Sequence, residues 1–553
     1  MGLIERRIGL LSAIFLGCFV LAILRAGQLT VVNHAELQAK ATGQQVGEQV
    51  VPAPRGAILD RNGGELAVST DAADISATPY IVEDVPKVSA QLAPLLDTTA
   101  DEVAAKLADR KSGFVYLGRS IPGAQAEKIR RLKIGGVDVM PTTKRFYPSK
   151  TMASQLLGFV GTEGKGLSGL EYAWEDELHG TDGRRRIVKG GAGDAIETID
   201  LEKVSPGRDI SLTIDSQLQL QTESVLARVG QKFMPKGASA IVMNPANGEV
   251  LAMANYPKLD ANDPSEGSPE AQQNRAVGFT YEPGSTFKGV TVAGALEEGK
   301  VTPETTFALP ATLQVEDRVI KESHDGGGGT LSVAQILAQS SNVGTVKISQ
   351  ELKDKTFDEW VHRFGFGKPT GIDIKGEEQG LVLRAKDYSG VSKANFAIGQ
   401  GLSVTPIQMA AAYSAIANGG TLRPPHVVKA VDGEPTKLPE GKRVISKKTS
   451  NQLRSMLKGV LGPGGTASEA AISGYELAGK TGTAQKFDTA TGQYSKVNYV
   501  ASFIGFAPAD NPQVLVSVVV DEPRGAIYGG EIAAPAFQEI LNFALPYLKI
   551  PPQ

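Results

Sequence analysis

The sequence predicts an α+β protein carried on one N-terminal membrane helix. Three observations carry this. Residues 8–24 form an uncharged apolar run. Strand-like segments occur early (residues 210–256) and late (500–520) in the second half, and helical segments fill the space between. Strands at both ends of a stretch with helices between them call for one sheet that joins distant segments.

The apolar run comes first. Arg6 and Arg7 precede it and Arg25 closes it. About 20 residues cross a bilayer, and the flanking residues complete this span. Positive charges before the run keep that end cytoplasmic. Arg25-Ala26-Gly27 is a poor cleavage site, so an uncleaved anchor is expected rather than a signal peptide. A lipoprotein at Cys18 fits less well, because the run continues past it. Cys18 is the sole cysteine, so no internal disulfide can form. A net charge of −3 argues against a nucleic-acid partner. His34, His179, His324, His362 and His426 are scattered, with no pair at metal-ligand spacing. Neither a metal nor a cofactor is expected.

The organisation reads as a tail at 1–7, an anchor at 8–25, a scaffold at 26–206 and a second domain at 207–553. In the scaffold, residues 57–63 read as a strand ending in an Asn62-Gly63 turn. Residues 99–109 and 124–132 read as short amphipathic helices. In the second domain, residues 210–215 form a strand that leads through a cap into a helix ending near Ala227. Residues 238–256 form a hairpin about Asn247-Gly248. Helices follow at 332–338 and 406–417, strands at 500–506 and 514–520, and a last helix at about 535–545.

Chemistry enters at Tyr281-Glu282-Pro283-Gly284-Ser285-Thr286-Phe287-Lys288. Pro-Gly cannot continue a helix, and residues 289–296 look helical, so Ser285 falls at a helix start. Ser285 and Lys288 are three apart and share one face. A serine hydroxyl needs a base to become a nucleophile. A lysine is a base only where burial or nearby cations depress its pKa. The spacing alone is weak: Ser455 and Lys458 repeat it inside an amphipathic helix, where it reads as structural. Ser340-Ser341-Asn342 lies at a helix junction, where an N-cap is the plain explanation. Lys480-Thr481-Gly482-Thr483 could be an ordinary strand. Residues 474–481 also match a P-loop letter for letter. No strong strand precedes that match, and Gly482 and Thr483 disfavour a helix after it.

Taken together and in order, Ser285-x-x-Lys288, Ser340-x-Asn342 and Lys480-Thr481-Gly482 resemble the penicillin-binding proteins and serine β-lactamases. The resemblance implies an antiparallel sheet flanked by helices. It implies that Ser285 attacks the penultimate carbonyl of a D-Ala-D-Ala stem peptide and that Lys288 accepts its proton. Ser340 would relay protons, and Asn342 would bond substrate and Lys288. Lys480, Thr481 and Thr483 would meet the substrate carboxylate, with Gly482 leaving room along the strand. Backbone N–H groups of Ser285 and Thr483 would form the oxyanion hole, and the Lys480 charge would help keep Lys288 neutral.

The first half narrows the family. Arg55-Gly56-x-Ile58-x-Asp60-Arg61-Asn62-Gly63, Arg145-Phe146-Tyr147-Pro148 and Gly166-Leu167-Ser168-Gly169-Leu170-Glu171 resemble class B penicillin-binding proteins. On that resemblance residues 26–206 are a non-catalytic pedestal of the dimerisation type, and 207–553 the transpeptidase domain. The implied activity is peptidoglycan cross-linking inhibited by β-lactams. The implied setting is the cytoplasmic membrane at the division septum, beside a membrane glycosyltransferase and other divisome proteins. The run Gly180 to Arg186 resembles the septal branch more than the elongation branch. A carboxypeptidase, a β-lactamase-like hydrolase and a non-enzymatic sensor or scaffold are the alternatives. Asn244, where aspartate is usual, and the glycines Gly326 to Gly329 depart from the pattern.

Overall fold

The computed structural model describes residues 3–32, 46–189, 195–323, 328–438 and 440–552. His34, His324, Gly326 and Gly327 lie outside them. The helix α1 (Leu3–Gly27) is long and apolar enough to cross a membrane, and its apolar side chains are exposed. The chain divides into two compact units that interleave in sequence. One holds Met1–Pro54, Thr70–Lys144 and Gly180–Gly207; the other holds Arg55–Ser69, Arg145–His179 and Arg208–Gln553.

The first unit has a small core of Ile75, Leu92, Val103, Leu107, Leu117 and Ile129. Helices Val85–Leu96 and Ala100–Leu107 start at Asp84 and Thr99, whose side chains accept backbone N–H bonds. A separate antiparallel sheet places Gly183–Lys189 between Val46–Val51 and Ala195–Glu202. On it Arg184 pairs with Glu48 and Arg185 with Asp200, both largely in solvent. Exposed pairs of this kind add little stability.

The second unit is built on a five-stranded antiparallel sheet. Its strands are β1 (Gly237–Met243), β2 (Val250–Tyr256), β3 (Ala478–Asp488), β4 (Gln493–Ala507) and β5 (Val514–Asp521). The order is β2-β1-β5-β4-β3, so β3 is an edge. Alternation divides the side chains between two faces. Ala240 and Val242 join the core with the helices α2 (Ser216–Phe233) and α3 (Gly529–Tyr547), whereas Ile241 and Met243 face the larger core. The turn between β1 and β2 spans residues 244–249. Asn244 Oδ1 accepts from the Ala246 N–H at 3.0 Å, a bond an aspartate would make equally well. Helix α2 runs six residues beyond its expected end. Helix α3 starts six residues before Pro535, which costs the helix only the bond to the exposed Glu531 carbonyl.

The three N-terminal signatures converge on one buried carboxylate. Glu171 is 0 % exposed. It accepts from Arg55 Nε at 2.5 Å, Arg145 Nε at 2.6 Å and the Tyr147 hydroxyl at 3.2 Å. Arg145 Nη1 also donates to the Gly56 carbonyl at 2.8 Å. A Cβ on Gly56 would come within 2.0 Å of the Arg208 carbonyl oxygen, so only glycine fits. Glu171→Gln leaves Arg145 buried without a counter-charge. The expected cost is about 3–5 kcal/mol, read as a lower denaturant midpoint. Glu175→Gln, which removes the half-exposed second partner of Arg55, should cost less than about 1 kcal/mol.

Candidate active site

Ser285 sits half-buried in a tight turn, Gly284–Phe287, that runs directly into the helix Lys288–Glu297. Close packing sets this turn. Gly284 has φ +55°, a region open to glycine at little cost. Its N–H donates to the Gly399 carbonyl at 3.0 Å. A Cβ on Gly399 would lie 2.1 Å from the Gly284 oxygen. The Gly399-Gln400-Gly401 segment is therefore the back wall of the turn. The fully buried Tyr413 donates its hydroxyl proton to the Thr286 carbonyl at 2.6 Å.

Lys288 is 0 % exposed. Its Nζ donates to the Ser340 carbonyl at 2.5 Å, to Asn342 Oδ1 at 2.7 Å and to Ser340 Oγ at 3.2 Å. All three bonds go to uncharged oxygens. Burial brings the ammonium down to about 7, against the opposing pull of the Glu322 charge. Lys480, also 0 % exposed, is held well below the usual lysine range, first by burial and then by repulsion from Lys288. Burial is the main cause at Lys288, and the repulsion between the two buried amines is mutual, so the Lys480 charge works in the same direction.

The Ser340-x-Asn342 segment joins the helices Val333–Ala338 and Asn342–Gln350. Ser340 takes φ +59°, an uncommon conformation for a residue with a side chain. The N-cap is the middle residue, Ser341, whose Oγ accepts from the Gly344 N–H at 2.9 Å. Glu322 completes the cap. It accepts from Ser341 Oγ at 2.5 Å, Asn342 N–H at 2.6 Å and Val343 N–H at 3.3 Å. A carboxylate at a helix N-terminus is well placed. Asn342 Nδ2 donates to the Lys321 carbonyl at 2.8 Å, which turns Oδ1 toward Lys288.

Lys480-Thr481-Gly482-Thr483 lies on the edge strand β3, where Lys480 pairs with Ile504 and Gly482 with Ser502 of β4. No helix follows the lysine, so the P-loop reading fails. Thr481 and Thr466 share a hydroxyl hydrogen bond at 2.8 Å, and Thr483 Oγ1 accepts from the Gly529 N–H at 3.0 Å. Gly482 serves a different purpose from the one expected. A Cβ there would lie 2.3 Å from Ser502 Oγ and 3.0 Å from the Pro283 carbonyl. It lets the strand abut the nucleophile's turn rather than clearing a path for a ligand. Ser455 and Lys458 lie apart from all this, on the helix Lys447–Lys458. Lys458 pairs with Glu476 and Asp510.

These residues meet at a cleft of about 400 Å³ walled by Ser285, Ser340, Asn342, Thr481 and Thr483, among others. Lys288 and Lys480 lie beneath its surface. A hydroxyl one turn before a buried amine that loses its proton near pH 7, at a cleft that a strand edge also lines, suits attack on the carbonyl of an extended peptide.

The chain is similar to known proteins. A family model described as the penicillin-binding protein transpeptidase domain matches residues 238–542. The chain belongs to the penicillin-binding protein transpeptidase family. A second model, the penicillin-binding protein dimerisation domain, matches residues 50–212 and identifies the class B arrangement. Stage V sporulation protein D of Bacillus subtilis is 38% identical, with 90% of this chain and 79% of that protein covered. Peptidoglycan D,D-transpeptidase FtsI of Escherichia coli is 32% identical over 98% of this chain and 92% of its own. Penicillin-binding protein 3 from Mycobacterium tuberculosis, complexed with ampicillin, superposes with a TM-score of 0.73. It is 29% identical, with 91% of this chain and 97% of that one covered. The family and the α+β fold class expected from the motifs are both met.

The motif residues Ser285, Lys288, Ser340, Asn342, Lys480, Thr481 and Thr483 meet at one place. Three supports of this penicillin-binding protein, Glu322, Thr466 and Tyr413, lie outside the motifs. Each acts across long sequence separation, and no local pattern marks it. Glu322 is the most consequential, because it both caps the Asn342 helix and raises the Lys288 pKa. A base role for Lys288 predicts an acylation rate that rises with pH through about 7. Glu322→Gln removes the opposing charge and should move that midpoint to lower pH, read from acylation rates between about pH 5 and 9.

Proposed function

We propose that the chain is a peptidoglycan D,D-transpeptidase that works through an acyl-enzyme on Ser285. The observation that carries this is the fully buried Lys288 amine, held by three uncharged oxygens, one turn along from the serine. Neutral Lys288 takes the Ser285 proton as Oγ attacks the penultimate carbonyl of a D-Ala-D-Ala donor. Backbone N–H groups of Ser285 and Thr483 hold the oxyanion. The donor lies along the β3 edge, and its C-terminal carboxylate meets Thr481, Thr483 and Lys480. An arriving carboxylate restores the Lys480 charge that burial suppresses. Ser340 passes a proton to the leaving D-alanine. An amine of a second stem peptide then resolves the ester. β-Lactams are taken as donor mimics and remain on Ser285.

The relatives support the cross-linking role over hydrolysis, since the names of several state that activity. The resemblance to FtsI supports a septal site of action and partners in a division complex, including a membrane glycosyltransferase. Helix α1 supports a single-pass anchor in the cytoplasmic membrane with the catalytic unit outside. On this reading residues 8–25 are the anchor, 26–206 the pedestal and 207–553 the transpeptidase domain.

Labelled penicillin should form a stable adduct on the full chain, mapped to Ser285 by mass spectrometry. Ser285→Ala should abolish labelling while the unfolding midpoint stays unchanged; labelling that survives would refute the assignment. Lys288→Arg should lower the acylation rate by about 10²-fold or more, because a guanidinium stays protonated.

A further inference from the structure

A cavity of about 180 Å³ in the catalytic unit shares no lining residue with the Ser285 cleft and collects positive charge. Four cations line it: Arg363, Lys368, Arg423 and Lys442. They come from separate segments. Arg363 ends the helix Asp354–Arg363, and Lys368 lies in the loop that follows. Arg423 follows the short strand Thr421–Leu422. The antiparallel partner of that strand, Lys442–Arg443, carries Lys442 opposite Leu422. Buried Gln408 and Ala411, from the helix Pro406–Ala417, line the cavity as well.

This charge is unmatched. Among the described residues, none of the four cations is within 4.0 Å of a carboxylate. Asp358 lies 2.8 Å from His362 Nδ1, and Glu377 accepts from the Thr370 N–H and hydroxyl. Exposed Glu440 is the one carboxylate among the described residues of the wall. Two of the cations are also held in place. Arg363 lies over the Trp360 ring, 4.4 Å from its centre. Arg423 lies against Gly441, where a Cβ would come within 2.8 Å of its Cγ and 3.2 Å of its Nη1. Held side chains cannot swing apart to relieve their repulsion. A concavity lined by one sign of charge concentrates counter-ions instead.

We propose that this cavity binds a phosphate group, free in solution or carried on a lipid headgroup. A carboxylate brings one charge and two oxygens. A phosphate brings close to two charges and a third oxygen, which answers more of the four cations. Arg363 and Arg423 offer the planar donor forks that phosphate oxygens accept from, and Lys368 and Lys442 add point charges. The volume lies below the about 300–1,000 Å³ of pockets that take whole organic ligands, so it suits one small group. The site goes beyond the transpeptidase reading and does not depend on it.

The test is lysine footprinting of the full chain in nonionic detergent micelles. An acetylating reagent is added with inorganic phosphate or, separately, with micelles doped with phosphatidylglycerol, and each lysine is read by mass spectrometry. Sodium chloride at matched ionic strength is the reference. Acetylation of the exposed Lys368 and Lys442 should slow about fivefold or more with the probe in excess. Exposed Lys496, on β4, should stay within about twofold. Slowing by inorganic phosphate upholds the site as one for free phosphate; slowing by the lipid alone upholds it as one for a headgroup. Arg423→Gln should raise the probe concentration for half-protection about tenfold or more, and Lys442→Gln, read at Lys368, should do the same. Unfolding midpoints check that both variants fold. No slowing by either probe, equal slowing by acetate, slowing that extends to Lys496, or an unchanged half-point in the folded variants overturns the proposal.

Discussion

An amine removed from water governs this molecule. A lysine in solvent is a cation and no base. Taking Lys288 out of solvent costs the charged form its hydration, and giving it only neutral oxygens denies it a full counter-charge. Much of the surrounding structure maintains that balance. Ser340 accepts an uncommon backbone conformation to present both its carbonyl and its hydroxyl. Glu322 holds Asn342 from behind, near enough to be felt and not in direct contact. A carboxylate hydrogen-bonded to the amine itself would keep the proton there.

The second constraint is space. Four glycines let backbone meet backbone where the nucleophile's turn, the edge strand and the last helix converge. A methyl group on Gly399 or Gly482 would collide with the turn or its neighbours. One on Gly529 would lie 2.3 Å from the Gly482 carbonyl oxygen, and Gly284 itself supplies the positive φ. Ser285 is therefore positioned by main-chain contact more than by side-chain bonds. Main chain has few soft degrees of freedom, so such a contact fixes an attacking atom better than a flexible side chain would.

Local signals were the readable ones. The helices expected at 332–338 and 406–417 form, each closed at its start by a capping box, Ser332 with Gln335 and Thr405 with Gln408. The β1–β2 hairpin, the Asp60-Asn62-Gly63 turn and the three catalytic motifs could all be read from short windows. What escaped notice was non-local. Glu322 sits among ordinary polar residues, and only folding brings it beneath Asn342. The N-cap serine turned out to be Ser341 because Ser340 is turned toward Lys288. Gly482 was read against a ligand, although its neighbour is the protein's own Pro283. Pro535 looked like a helix start because proline favours that position, yet burial of Ile532, Ala533 and Ala536 extends α3 before it. A change of pattern near residue 207 reads as a single linear border, whereas the compact units interleave. The return of residues 55–69 and 145–179 to the catalytic unit was not legible.

That interleaving bears on how the chain is made. Arg55 leaves the ribosome 116 residues before Glu171, the carboxylate that neutralises it. Ile58 must wait longer still for Ile210, its parallel strand partner. The five-stranded sheet cannot close until its first and last strands coexist, since β1 pairs with β5 near the far end. Contacts of such separation form slowly. Meanwhile the first unit can complete its core within residues 73–139. The polypeptide thus emerges with an early part able to fold at once and a later part obliged to delay. Its vulnerable interval falls on the half that carries the serine.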